Sequence, residues 1–449
     1  MNPNIFAALV FHLLTAWTAA CFESVAWAQE PAGDQMTRQQ VKQALVDPDW
    51  IVVDTRTPDA FNGWPLDGIM QGGHIPGSVD FSARWLNLPG ADLTQRLQQV
   101  LAAKGIDATD NVVLYSIQAS EREQVAKFLH DLGYQKVHLF DLQRWLDGGG
   151  QLENYPQYQR LVPPWIVKQL IDGQLPTTFE KSTRVKFVEV SWGDADASYT
   201  KGHVPGSFHV NTDHFEPPPK WYLGDRQLLT QFAADYGFQE DDTVIISGAD
   251  VTASYRLCVV LLYMGIADVR VLNGGLAAWQ QAGYDVETRT YLPHKSQSLG
   301  ATVPRRQEMI IDIQQVKTAM RDPQRFSLID TRTWAEFQGE TSGYQYHSHK
   351  GRIPGSIYGQ GNFRGPNSLT PYRNLDQTMR NFSEVKAIWT QAGIDTKKHL
   401  CFLCGGGWRA AEVLMYAQVA GMENSSLYSD GWIGWSNDPE NPIESGPVK

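Results

Sequence analysis

Cysteine is scarce in this chain: 449 residues contain four, Cys21, Cys258, Cys401 and Cys404. With Cys21 inside an N-terminal apolar run, three remain in the body of the protein, and an odd number cannot complete a disulfide framework. Basic residues are also short. Lys and Arg number 38 against 49 Asp and Glu, a formal net charge of -11, and no basic run appears. That excludes a nucleic-acid partner, because such binding neutralises phosphates with Lys and Arg. Beyond the N-terminal segment there is no stretch of roughly 18 apolar residues, so no later membrane-spanning helix is expected. What is present is a globular composition, 42% hydrophobic and 11% aromatic, in a chain long enough for about three domains.

The first 28 residues differ from the rest. Ile5 to Phe22 is apolar apart from His12, Thr15 and Thr18, and Ala26-Trp27-Ala28 before Gln29 has the small-x-small form of a cleavage site. Residues 1–28 are expected to be a secretory signal peptide, leaving a periplasmic protein with no stable membrane insertion once the leader is removed. The Met1-Asn-Pro-Asn4 start has no positive residue, so an uncleaved anchor is the rival reading.

After the leader, one pattern is written three times. Gln40-Val-Lys-Gln-Ala-Leu-Val-Asp-Pro48 leads to Val52-Val-Asp-Thr-Arg56, and Gln315-Val-Lys-Thr-Ala-Met-Arg-Asp-Pro323 leads to Leu328-Ile-Asp-Thr-Arg332. Each reads as a helix followed by a short strand. The middle copy has Phe187-Val-Glu-Val190 instead. Then come Gly73-His-Ile-Pro-Gly-Ser78, Gly202-His-Val-Pro-Gly-Ser207 and Gly351-Arg-Ile-Pro-Gly-Ser356. Each copy continues with a strand, a loop and a helix ending near Gly133, Gly265 or Gly421, and closes on Trp145, Trp279 or Trp435. Strands alternating with helices imply a parallel sheet covered on both faces. The expected organisation is α/β, with domains at 36–155, 160–292 and 305–446, separated near Tyr155 to Trp165 and Tyr291 to Arg306.

The third copy alone carries Leu400-Cys-Phe-Leu-Cys-Gly-Gly-Gly-Trp-Arg-Ala-Ala-Glu412. Here a strand delivers Cys404 to the carboxyl edge of the sheet, where open α/β folds place ligands. Gly405, Gly406 and Gly407 permit a tight loop whose N–H groups turn inward on an anion. An amphipathic helix follows, with Ala410, Val413, Leu414 and Ala417 at helical spacing. A thiol at such a helix start is expected to ionise easily. Cys258 lies in an apolar helical run, and Cys401 shares a strand with Cys404 in place of the helix start that a redox dithiol needs.

The repeated Gly-His/Arg-Ile/Val-Pro-Gly-Ser, the strand-to-cysteine loop and the Asp-Gly-Trp-x-x-Trp ending together resemble rhodanese domains over essentially the whole mature chain. Cys404-Gly-Gly-Gly-Trp-Arg409 and Trp435-Ser-Asn-Asp-Pro-Glu-Asn-Pro442 resemble the three-domain, exported thiosulfate sulfurtransferases of Gram-negative bacteria. The resemblance implies a persulfide on Cys404, formed from a small sulfane donor and passed to a thiophilic acceptor such as cyanide or a thiol, or to a sulfur-accepting protein. It implies neither a metal nor an organic cofactor.

The three copies act as an internal control. Ser116 stands opposite Cys404 in the first, and the second offers Gly248-Ala-Asp-Val-Thr-Ala253, so neither can form a persulfide and both are expected to be catalytically silent. Glu121 stands opposite Arg409 and Asp250 lies in the second loop, putting negative charge where an anionic donor would sit. Asp54 and Arg56 repeat Asp330 and Arg332 in a domain without a nucleophile, so these are expected to brace the sheet, Arg332 pairing with a carboxylate such as Glu336. His74 and His203 are expected to be structural turn residues. Arg352, in the corresponding place, is either an added cation near the pocket or a surface substitution. Arg409 is the expected anion grip, since a guanidinium can hold two sulfonate oxygens at once. Trp408 is expected to wall the pocket or to pack. Thr341 to His349 reads either as a solvated loop or as a lid carrying hydroxyl and imidazole donors, and His347 with His349 has no companion set for zinc.

Two enzymatic rivals remain at this stage. A phosphatase of the same fold carries Cys-x5-Arg, and here Arg409 is five places after Cys404, one residue too short. A 3-mercaptopyruvate sulfurtransferase resembles Cys-Gly-Ser-Gly-Val-Thr, and this chain has Gly406 for the serine and Arg409 for the threonine. A non-enzymatic sulfur carrier or scaffold is the reading from another class.

Overall fold

The computed structural model describes residues 35–182, 184–361 and 369–447. The leader, its cleavage site and Cys21 lie outside them. Three sheets form, every strand pair parallel. In the first, the spatial order is Val79–Asp80, Trp50–Asp54, Asn111–Ser116 and Val137–Asp141. The second runs Leu161–Val162, Asp268–Leu272, Thr243–Ser247, Val185–Ser191 and Phe208–Asn211. The third runs Ile310–Ile311, Ser425–Tyr428, His399–Leu403, Phe326–Asp330 and Ile357–Tyr358. Central strands such as Thr243–Ser247 are buried along their whole length, as a sheet covered by helices on both faces demands.

Register fixes which residues correspond. Asp54 pairs with Tyr115, Glu189 with Ser247 and Asp330 with Leu403, so Ser116, Gly248 and Cys404 occupy one structural position in the three domains. Strand alternation then separates the two third-domain cysteines. Leu400, Phe402 and Cys404 belong to one core, whereas Cys401 and Leu403 belong to another with Trp432 and Trp435.

The repeated motifs serve the fold. The second residue of each Gly-His/Arg-Ile/Val-Pro-Gly-Ser run bridges antiparallel to a glutamate near its domain's end: His74 with Glu153, His203 with Glu287, Arg352 with Glu444. Arg56 and Arg332 each pair with the aspartate two residues before and donate to the carbonyl of Gly73 or Gly351, pinning that run to the sheet. The expected Arg332–Glu336 pair is therefore not formed. The closing tryptophans donate their indole N–H to a carbonyl six or seven residues on: Trp145 to Gln151, Trp279 to Asp285, Trp435 to Pro442.

The helix after Cys404, Trp408–Val419, departs from the amphipathic expectation, because Arg409 through Val419 are all buried. The cause is the matching helix of the middle domain, Val251–Met264, which covers the face that would otherwise meet water and is itself buried almost throughout. Tyr255 and Tyr416 meet edge-on at 5.2 Å between ring centroids. The two domains thus share one core. The segment near 155 is built in as well: Tyr155 Oη donates to Asn381 Oδ1 at 3.1 Å and accepts the Phe382 N–H at 2.8 Å. Asn273 ties all three domains, its amide donating to Asp59 at 2.7 Å and its carbonyl accepting the Met379 N–H at 3.0 Å.

Candidate active site

The strand His399–Leu403 ends at Cys404, and Gly405–Gly407 turn directly into the helix that starts at Trp408. Gly407 has φ +95, and a Cβ there would stand 2.8 Å from the Ser429 carbonyl and 2.9 Å from Arg256 Nη1, so only glycine fits this close, left-handed corner. Its N–H donates to Cys404 Sγ at 3.2 Å. The carbonyls of Cys404 and Gly405 are occupied by the N–H groups of Trp432, at 2.8 Å, and Ile433, at 3.1 Å. That contact is what the Asp-Gly-Trp motif provides: it braces the back of the Cys404 loop.

Cys404 opens onto a cavity of about 310 Å³ lined by Gly406, Trp408 and Arg409 from its own domain. Tyr344 and Tyr346, from the segment read either as a solvated loop or as a lid, line it too. The lid's hydroxyls reach the site; its imidazoles do not. His347 Nε2 is hydrogen-bonded to Ser436 Oγ at 2.8 Å, and burial first, then the neighbouring His349 and Arg332, push the ring down to about 4. The Tyr344 ring lies against Gly405, where any Cβ would collide with it. Gly406, by contrast, has open space where a side chain would go.

Arg409 is held differently from expectation. Nη1 donates to Glu336 Oε2 and Nη2 to Glu336 Oε1, both at 2.9 Å, and Nη2 also reaches Tyr344 Oη at 2.8 Å. The guanidinium lines the cavity while ion-paired with Glu336 and hydrogen-bonded to Tyr344. Burial would push Glu336 up, but the Arg409 charge and hydrogen bonds, with Arg332 and the Thr333 N–H, hold it at about 2. Arg352 does not line the cavity: its side chain donates to the Gly446 carbonyl at 2.8 Å and lies over the Phe337 ring at 5.0 Å. The reading of Arg352 as a cation near the pocket is corrected accordingly. It is the third domain's version of the His74 and His203 clasp.

The other two thiols are sealed. Burial pushes both Cys258 and Cys401 up to about 12, leaving neither a thiolate near neutral pH.

The opposite wall comes from the middle domain, and this the sequence reasoning missed. Trp192, Trp221 and Tyr222 line the cavity with Glu216 and Lys220, and Asp250 of the cysteine-free loop faces it as well. Trp192 and Trp221 both donate their indole N–H to Asp213 Oδ1 at 3.1 Å, and the rings continue across the domain boundary, Trp221 to Tyr346 at 5.2 Å and Tyr346 to Tyr344 at 5.5 Å. Trp408 donates to Glu216 Oε2 at 2.8 Å, so it both walls the pocket and joins the domains. The available signal was the Glu216-Pro-Pro-Pro-Lys-Trp-Tyr222 run, a rigid turn loaded with aromatics.

Comparison with known proteins adds four findings. A family model described as rhodanese-like domain matches residues 37–143, 176–282 and 312–438. The chain is 32% identical over 439 residues to the thiosulfate sulfurtransferase YnjE of Escherichia coli, covering 97% of this chain and 96% of that one. Among solved structures, an anaerobic ergothioneine biosynthesis enzyme from Chlorobium limicola, in complex with its natural substrate trimethyl histidine, superposes with a TM-score of 0.87 at 32% identity, over 92% of this chain and 99% of that one. A further structure, of EanB, holds a cysteine persulfide in a tetrahedral intermediate state with ergothioneine, with a TM-score of 0.86 at 32% identity and covering 92% of this chain and all (100%) of that one.

Proposed function

Because the chain belongs to the rhodanese family, we propose that it is a thiosulfate sulfurtransferase working through a persulfide on Cys404. One observation carries the reading: of the cysteines described, Cys404 alone opens onto a cavity, and it does so at a helix start with a backbone N–H on its sulfur. The Cys404 thiolate attacks the outer sulfur of thiosulfate, the S–S bond breaks, and sulfite leaves with the bonding pair. The acceptor, cyanide or a thiolate, then attacks the sulfane sulfur of the persulfide, and Cys404 departs as the thiolate. No electrons are gained or lost from outside, so no redox partner enters. The Gly407 N–H and the helix start stabilise charge on sulfur in both halves of the cycle. The 3-mercaptopyruvate reading is weaker, since Gly406 supplies no hydroxyl and the Escherichia coli enzyme of that name is 25% identical over 56% of the chain. Incubating the protein with thiosulfate should give a Cys404 peptide heavier by one sulfur, about 32 Da. An unmodified Cys404 in folded protein would overturn the proposal.

The aromatic wall supports a second reading of the acceptor. Four rings running from Trp192 to Tyr344 suit an alkylated ammonium, which aromatic faces attract. Trimethyl histidine carries such a group. Offered to the persulfide form beside cyanide, it should yield a sulfur-bearing product under this reading and none if the wall serves only to exclude water.

Residues 1–28 act, in this proposal, as an export leader removed before Gln29, placing the enzyme in the periplasm. The support is the small-x-small site after a short apolar run. Intact mass of periplasmic protein should begin at Gln29; a full-length, membrane-bound product would overturn it.

A further inference from the structure

Every sulfur species carried by Cys404 in this cycle is an anion, and the inference that follows rests on Cys404 being the nucleophile. A cation near it, with a counter-ion that other groups also claim, would stabilise each of them. Arg409 is bound at two points by Glu336. Lys220 sits at the exposed mouth of the cavity. A third cation lies behind the loop. Arg256, on the middle domain's helix Val251–Met264, is 0% exposed. Its Nε donates to Glu216 Oε1 at 2.6 Å, its Nη2 ion-pairs with the same oxygen and donates to Ser429 Oγ at 2.7 Å, while Nη1 has no hydrogen-bond partner. A Cβ on Gly407 would fall 2.9 Å from that Nη1. The guanidinium therefore lies directly against the residue whose N–H donates to Cys404 Sγ at 3.2 Å. Its counter-ion is shared, because Glu216 Oε2 is taken by Trp408. Burial also pushes the Glu216 carboxyl up from the ordinary range, against the pull of Arg256.

We propose that Arg256, a residue of the cysteine-free middle domain, is the fixed positive charge of the active site, acting from beneath Gly407 to stabilise the sulfur anion on Cys404. It touches neither donor nor acceptor; it is a positioning residue that sets the potential at the sulfur. Arginine suits the place because it stays charged when buried, and in a dry interior its field reaches the sulfur with little screening. Glu216 determines how much of that charge is left over. The middle domain is thereby a working half of the site, and the helix-against-helix packing that joins it to the third domain is what delivers the charge.

The test is the pH dependence of Cys404 alkylation by iodoacetamide, read by mass spectrometry at that residue, which needs no sulfur donor and so stands apart from the thiosulfate reading. The other charged or titratable groups around the thiol are Tyr344 and Tyr346 of the lid, the Arg409–Glu336 pair, Asp250, Lys220 and Asp430. Both tyrosines are pushed up by burial and stay neutral over the range scanned. Arg256→Met should raise the alkylation midpoint by about one pH unit, a roughly tenfold fall in reactive thiolate at neutral pH, and Arg256→Lys should restore most of it. Glu216→Gln, which keeps a carbonyl for Trp408 but removes the counter-charge, should move the midpoint the other way. Opposite shifts from the two variants are the signature of charge, because a merely structural contact would move both in one direction. Shifts of the same sign, or none in a variant that keeps its circular-dichroism spectrum, would overturn the proposal. Should Arg256→Met fail to fold, Arg256→Gln takes its place and decides against Arg256→Lys, because Glu216 lines the cavity itself and its loss alone would move the midpoint without Arg256.

Discussion

Arg409 and Glu336 face each other through two parallel hydrogen bonds, Nη1 to Oε2 and Nη2 to Oε1, each 2.9 Å long, with both side chains buried. The pair joins the start of the helix Trp408–Val419 to the helix Trp334–Gln338, and through Tyr344 it reaches the segment from Thr341 to His349. The first domain has Glu121 in the place of Arg409, so the pair belongs to the copy that carries Cys404.

An arginine so placed holds the loop and lid together, and its loss should not discriminate between donors. Arg409→Ala is expected to lower kcat/KM for thiosulfate and for mercaptopyruvate by similar factors, with a stability loss of about 3–5 kcal/mol for leaving Glu336 buried and unpaired. Steady-state kinetics with both donors, beside thermal melting, checks this. A tenfold greater loss on thiosulfate would return Arg409 to the role of anion grip.

The same pair gives an acid limit. Glu336 titrates at about 2 in the folded chain against an ordinary value near 4.5, so its contribution is present above the unfolded value and lost as pH falls from about 4.5 toward 2. Glu336→Gln should flatten the fall in melting temperature across that window, while lowering stability at pH 7 by roughly 1–3 kcal/mol. An unchanged acid slope in the variant would mean that Arg409 does not hold the carboxylate.

Gly406 is the loop position with room. Gly406→Ser should fold and melt within about 0.5 kcal/mol of the parent, because no atom lies within 4 Å of the added Cβ. The hydroxyl would enter the cavity beside Cys404 and should raise the ratio of mercaptopyruvate to thiosulfate turnover. Parallel assays of the two donors measure it; an unchanged ratio would show that this position does not select the donor.

How much of this was legible in the sequence follows from where the information sits. Periodicity and repetition exposed the parallel sheets, and the internal control sorted Asp330 and Arg332 as bracing groups, because such patterns are local. Which carboxylate an arginine chooses is not local. Glu336 stands four residues after Arg332 yet pairs with Arg409 across the domain, since Asp330 is already positioned by its strand to take Arg332. The middle-domain wall was invisible for a related reason. A domain without a nucleophile gives no chemical signal of its own, and only helix packing brings Trp192, Trp221 and Glu216 to another domain's cysteine. Asp250 was singled out as an obstacle within its own loop; the fold instead turns it toward Cys404's cavity.

Among the cysteines, position on the strand decides reactivity. Cys404→Ser should abolish turnover, while Cys401→Ala and Cys258→Ala should keep it within about twofold, their costs appearing as core destabilisation of roughly 1–2 kcal/mol. The strand places Cys401 on the opposite face of the sheet from Cys404, and burial pushes it to about 12. A folded Cys401→Ala protein as inactive as Cys404→Ser would require a dithiol mechanism.

The junction of the three domains should respond to pH in the opposite sense from Glu336. Asp59 of the first domain is buried there, accepting a hydrogen bond from Asn273 at 2.7 Å, with Asp376 of the third domain lining the same cavity. Burial, augmented by the Asp376 charge and only partly offset by Asn273, raises Asp59 from 3.8 to about 7. A carboxyl whose folded value is raised favours the folded state fully below its unfolded value, and that advantage is lost as pH climbs from about 4 through 7. The three domains should therefore dock less tightly at pH 8 than at pH 5. Asp59→Asn keeps an oxygen for Asn273 and cannot ionise, so its gain in melting temperature over the parent should be larger at pH 8 than at pH 5, the difference corresponding to about 1–3 kcal/mol. Melting curves of parent and variant at the two values check this. A gain of equal size at both would mean that the substituted amide simply packs better, and no gain at pH 8 would mean that Asp59 is ionised there without cost.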